Sequence, residues 1–152
     1  MPSKTTPKAQ MFSMKLPVLA KGRSDQVLAR TNMLQVRGKV YAQGGENTLH
    51  SHLRQDHGFF VIGGQATFHD EEDNVNVVGA FEGIVLPAGS YYWFQSTGNE
   101  NLVMLRFSGK FDGDGEKAAD DRVDLDGNSF PGDHADNKPV SPVVVQGRFF
   151  GE

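Results

Sequence analysis

The chain has 152 residues, 38% apolar and 22% charged, with a net charge of -4 and no cysteine. That balance describes one soluble globular domain with room for a sizeable core. It excludes a disulfide framework and thiolate metal ligands, argues against nucleic acid as a partner, and offers no apolar run of helix-spanning length for a membrane. Zero cysteines are compatible with the cytoplasm, the expected location.

The first ten residues, "MPSKTTPKAQ", are polar and carry two prolines. They read as a mobile tail before one domain over 11–152. "MFSMKLPVLA" is interrupted by Lys15 and Pro17 and makes a poor signal peptide. From about Val27 to Phe107 the chain reads as strand after strand: "MLQVRGKVYA", "HGFFVIGG", "QATFHD", "NVNVVG", "GIVLPAG", "SYYWFQ" and "NLVMLRFSG". These are short, rich in β-branched and aromatic residues, and punctuated by Gly, Asn, Asp or Pro. No helix of ten residues is expected. Many short strands at close spacing predict an all-β antiparallel sandwich or barrel. "FFVI" (59–62) is apolar at every position, so both faces of that strand should be covered, the outer one by another segment or another subunit.

The composition turns acidic and glycine-rich over 111–137. "DLDGNS" fails the EF-hand pattern, because its glycine comes too early after Asp124. The stretch is expected to be a long solvated loop, mobile or functional. "PVVVQGRFF" then reads as a strand (about 143–150) that returns the chain to the sheet. His134 lies within the acidic loop, and His69 at a hairpin end beside three acids, where exposure is expected.

The chemistry concentrates in "HSHLRQDH". On a strand, alternate side chains share a face, so His50 and His52 point the same way. If the chain reverses near "RQD", His57 begins the next strand and can join them. Such a trio suits one divalent transition metal (Fe, Zn, Ni, Cu or Co) rather than Mg or Ca. Parity with His57 and with Tyr92 places Phe59, Val61, Ser90 and Phe94 around the same cavity, and Met104 or Arg106 can contribute from a later strand. An inward Arg106 would suit a carboxylate.

"GGENTLHSHLRQDHGFFVIGG" resembles the first motif of the cupin superfamily, G-x5-H-x-H-x3/4-E-x6-G. Gly44 takes the leading position, His50 and His52 the pair, His57 the glutamate position and Gly64 the closing glycine. With the shorter spacer Asp56 takes the glutamate position instead, closed by Gly63. "FEGIVLPAGSYYWFQS" resembles the second motif, G-x5-P-x-G-x2-H-x3-N. Pro87 and Gly89 match it, while Phe81, Tyr92 and Ser96 stand where the pattern has glycine, histidine and asparagine. The resemblance covers about Val40 to Phe107. It implies a jelly-roll barrel, the double-stranded β-helix, holding one metal.

On that resemblance the metal ligands are His50, His52 and His57. Tyr92 is the candidate catalytic residue: a phenolate ligand, a hydrogen-bonding proton carrier, or a pocket filler. A neutral three-histidine set leaves more positive charge on a metal and favours anionic or enolisable substrates. Two classes follow: a metal-dependent enzyme on a small organic molecule, of oxygenase or isomerase/cyclase type, or a non-catalytic ligand-binding or structural protein. A homodimer is expected in either case.

Overall fold

The computed structural model describes residues 5–110, 121–131, 135–137 and 139–152. Its strands are β1 (Pro17–Lys21), β2 (Arg23–Arg30), β3 (Leu34–Tyr41), β4 (Gly45–His52), β5 (Gln55–Gly63), β6 (Gln65–His69), β7 (Val75–Gly79), β8 (Gly83–Leu86), β9 (Tyr91–Ser96), β10 (Leu102–Lys110), β11 (Arg122–Val123) and β12 (Val143–Phe149). Among the described residues the one helical turn is Ala135–Asn137, and no helix is long and apolar enough to cross a membrane. The fold is the expected antiparallel jelly roll. One sheet runs β2-β3-β10-β5-β8 and the other β11-β4-β9-β6-β7.

Period-two alternation fills the space between the sheets. Along β10, Leu102, Met104 and Ser108 are buried inward, with Val103 and Phe107 on the opposite face. Phe59, Val61, Ala66, Phe68, Tyr92 and Phe94 meet them from β5, β6 and β9. Phe94 stacks on Phe68 at 4.9 Å and meets Tyr41 edge-on at 5.3 Å. These rings form an aromatic block within the interior.

The returning C-terminal strand departs from expectation. It pairs with β1, not with either main sheet. This two-stranded ribbon belongs to an outer core in which Leu16 and Leu19 pack with Val40, Val103, Ile62 and Phe150. Gly38 makes the close approach possible, because a Cβ there would lie 2.8 Å from a Leu16 methyl. The "FFVI" strand is therefore covered only in part. Phe59 and Val61 face inward and Ile62 lies under the ribbon, but Phe60 stays 38% exposed. With Phe81, Val85 and Phe107 it leaves apolar surface uncovered.

The acidic stretch is not all loop either. Asp121, Arg122 and Val123 are buried, and β11 pairs with β4 so that Arg122 lies opposite His52. After it, Asp124 closes a tight turn by accepting hydrogen bonds from the amides of Asp126 and Asn128. In the N-terminal tail, the Gln10 side chain bonds the Arg30 backbone in both directions.

Candidate functional site

The strand geometry brings the three histidines together. His50 and His52 lie on β4, and His57 lies on β5 in the opposite sheet. His50 and His57 are buried. The ring centroids of His50 and His52 are 5.3 Å apart, and those of His52 and His57 3.9 Å apart. Asp56 faces away and accepts a hydrogen bond from the Ala88 amide, so it serves the "LPAG" turn. Tyr92 pairs with His50 across β4 and β9, and its hydroxyl lies 3.2 Å from His57 Nδ1.

Each imidazole has its Nδ1 engaged. His50 Nδ1 is 2.9 Å from the Thr48 carbonyl, an acceptor only, so this nitrogen donates. His52 Nδ1 is 3.0 Å from Asp121 Oδ1. Asp121 also accepts from the Arg54 amide at 2.8 Å and from the Gln55 side chain at 3.1 Å. A carboxylate behind an imidazole fixes its tautomer and leaves Nε2 with its lone pair. His57 Nε2 is buried with no hydrogen-bond partner among the described residues. His50 Nε2 lies 3.0 Å from Glu46 Oε2, but off the direction a hydrogen bond requires. We take this as close contact rather than a made bond.

Glu46 and Asp121 are site residues that the sequence reading passed over. In a regular strand, residues four apart are separated by about 13 Å. Here β4 bulges: Glu46 pairs with Phe94 and His50 with Tyr92, so four residues cover the length of two. The bulge shortens the separation between Glu46 and His50, which share a face, and brings the two side chains into contact. Their shared parity was the available signal. Asp121 had none, being 69 positions from His52.

A run of charges crosses from one sheet to the other. Arg37 meets Asp25 at 3.0 Å, Lys39 meets Asp25 at 3.6 Å and Glu46 at 3.1 Å, and Arg122 meets Glu46 at 3.5 Å. Burial alone would raise the Glu46 carboxyl; Lys39, His50 and Arg122 override it and hold the group well below the usual carboxylate range. Burial lowers His57, reinforced by the charge of Arg106, so the ring is neutral. Burial also lowers His52, against the opposing pull of Asp121. Burial, helped by Glu46, pushes Tyr92 well above its ordinary value, so its phenol stays protonated.

The other expected residues divide. Phe59, Val61, Phe94 and Met104 line the interior. Arg106 occupies the inward register of β10, opposite Phe59, and its charge acts on His57 and Tyr92. Ser90 precedes β9 and spends its hydroxyl on the Pro87 carbonyl at an exposed turn, so strand parity does not carry to it. His69 is not simply exposed: it stacks on Trp93 at 3.9 Å, with 15% of its side chain accessible. His134 lies outside the described residues.

By donor type the residues suit a divalent transition metal. Two imidazoles are held neutral, and two buried Nε2 atoms lack an aligned partner. By position they are not gathered. Among the described residues no three His, Asp or Glu side chains converge on one ligating point. His52 and His57 present ring faces to each other, tilted by 33°.

Residues 39–107 match the family model described as the cupin domain. The chain has no match among curated proteins. Among solved structures it is similar to an uncharacterised conserved protein with a double-stranded β-helix domain from Klebsiella pneumoniae, with TM-score 0.58 and 19% identity over 70% of this chain and 94% of that one. It is also similar to a Streptomyces PAC13 variant bound to uridine, with TM-score 0.56 and 16% identity over 78% and 90%. KdgF from Halomonas sp. gives TM-score 0.52 and 22% identity over 60% and 82%. Identities this low speak for the fold alone.

Proposed function

We propose that this chain, whose residues 39–107 match the cupin domain, is a cupin and a metal-dependent enzyme acting on a small, anionic or enolisable organic molecule. One divalent transition metal (Fe, Zn, Ni, Cu or Co) would be held by His50, His52 and His57, with Glu46 beside His50. The observation that carries this is the shared arrangement of the imidazoles: every Nδ1 is engaged, and the buried Nε2 atoms of His50 and His57 have no aligned partner.

A bound metal supplies Lewis acidity toward a substrate oxygen, or a binding position for dioxygen. The chain's own groups do the rest. Asp121 orients His52 and keeps its Nε2 unprotonated. When His57 donates from Nδ1 to the Tyr92 oxygen, the phenolic proton is left to face a substrate, and Tyr92 can pass it at the hydroxyl. The aromatic block of Phe59, Phe68 and Phe94 excludes water behind the site. The reading covers oxygenase and isomerase/cyclase chemistry, and the identity of the metal divides them: iron favours the first, zinc or nickel the second.

The same reading takes the protein as cytoplasmic, with a small-molecule substrate, no nucleic acid or membrane partner, and a homodimeric state. Support for the dimer is the uncovered surface of Phe60, Phe81, Val85 and Phe107. A second reading, a non-catalytic small-ligand cupin, is favoured by the close, tilted ring contact of His52 and His57, which does not point their nitrogens at one ion. Chelation separates the two. Saturating metal at about 100 times its Kd adds ~2.7 kcal/mol, which shifts Tm by ~5–10 °C in a domain of this size. Loss of that shift on chelation and its return on adding iron or zinc supports the enzyme. An unchanged Tm supports the non-catalytic protein.

A further inference from the structure

The interior holds cationic donors that the carboxylates of the described residues do not satisfy. Arg106 Nε is buried and has no hydrogen-bond partner among the described residues, and none of their carboxylates forms an ion pair with it. Asp25, an acid whose protonation its charge influences, is already engaged by Arg37 and Lys39 and remains 40% exposed. Glu46 is occupied by Lys39 and Arg122. Two residues along the same face of β10, Ser108 is fully buried and its hydroxyl has no partner among the described residues. Ser108 lies directly opposite His57, whose Nε2 is also unpartnered. Buried donors without acceptors are destabilising, and natural interiors keep few of them. Here an arginine, a serine and an imidazole stand together on adjoining register positions of two paired strands.

We propose that Arg106 and Ser108 anchor the carboxylate of a small organic acid beside His57. The inference rests on the barrel interior being the substrate site, and it names the substrate class. A guanidinium presents a planar fork that matches a carboxylate, and the serine hydroxyl adds one more donor. The surrounding walls are Phe59, Met104 and Tyr92. One guanidinium and one hydroxyl among apolar walls suit a single negative charge better than a phosphate dianion. Directly opposed side chains on paired strands are about 5 Å apart and diagonal neighbours about 7–8 Å. A carboxylate held at Arg106 and Ser108 therefore places the atom one or two bonds away against the imidazoles. The reacting carbon is α or β to the carboxylate.

Calorimetric titration of the full chain with pyruvate, pyruvamide and inorganic phosphate tests this. Pyruvate binds saturably, and the neutral amide and phosphate do not. Arg106→Gln weakens pyruvate binding about tenfold or more and Ser108→Ala about fivefold; Arg106→Lys falls between, since it keeps charge without the fork. Arg106→Gln leaves metal content unchanged and does not lower the ligand-free Tm, because the buried Nε it removes has no partner among the described residues. If wild type lacks metal but shows this pattern, the enzyme reading fails and the anion subsite stands. The proposal is overturned if Arg106→Gln binds pyruvate as wild type does, or if pyruvate saturates neither the metal-loaded nor the metal-free protein. A lower ligand-free Tm in Arg106→Gln, with pyruvate binding unchanged, marks a structural arginine and also overturns it.

Discussion

Asp121→Asn tests whether a residue from the acidic stretch governs the histidines. Asp121 Oδ1 faces two donors, His52 Nδ1 at 3.0 Å and Gln55 Nε2 at 3.1 Å, and Oδ2 faces the Arg54 amide at 2.8 Å. An asparagine replaces one of these oxygens with a donor, so either orientation sets its amide against another N–H. One charge-assisted hydrogen bond is lost at a buried site, a cost of about 2 kcal/mol. For a domain of this length that lowers Tm by ~4–8 °C. If the new amide faces His52, the ring must take its proton on Nε2 and cannot ligate through that atom. Loss of such a supporting group typically weakens metal binding by about 10–100-fold. Competition between the protein and a chromophoric chelator measures the affinity, and urea unfolding in the same buffer with excess chelator measures the stability. Metal affinity within about twofold of wild type would refute the claim that Asp121 sets the His52 tautomer.

Glu46→Gln, which strips Lys39 and Arg122 of a buried carboxylate, should cost about 3–5 kcal/mol in urea unfolding. Adding Lys39→Met to it should recover part of that loss; additive losses in the double-mutant cycle would deny that the pair acts as a unit. His52 and His57 have lowered folded-state pKa values, chiefly from burial. Their stabilising contribution is complete above the unfolded pKa of ~6.5 and is lost as pH falls below it, at up to ~1.4 kcal/mol per pH unit for each ring. Metal-free protein should therefore show a Tm that drops between pH 7 and pH 5; a flat profile contradicts the buried neutral rings. Phe81 holds a left-handed φ of 64° at the position where the cupin pattern has glycine, and its ring is 77% exposed. Phe81→Gly relieves ~1–2 kcal/mol of strain against ~0.4–1 kcal/mol of added unfolded-state entropy. The monomer should gain about 0.5 kcal/mol while dimerisation weakens in sedimentation equilibrium; an unchanged association constant would remove Phe81 from the interface.

The barrel and the histidine trio were legible because both depend on short-range order. Strand period two pairs His50 with His52, and the "RQD" reversal brings His57 back to face them. Residues 59 and 61 separate from residue 60 by the same rule. What remained hidden is set by register and long-range contact. The β4 bulge that carries Glu46 to His50 depends on how β4 meets β9, which no local pattern announces. Asp121 reaches His52 only because β11 docks on the β4 edge, and its acidic surroundings read as solvated loop. The C-terminal strand was visible, but its partner was not, since edge pairing with β1 and return to a main sheet have the same local signature. Ser90 shows the converse failure: parity was extended past the end of a strand into a turn, where it has no meaning.

Metal stoichiometry of protein purified without a histidine tag, set beside a His50→Ala, His52→Ala double variant, addresses the central claim most directly. One divalent ion per chain in the wild type and none in the folded double variant is the predicted result. Wild-type protein that neither carries nor takes up a stoichiometric metal, or a double variant that retains it, would contradict the account.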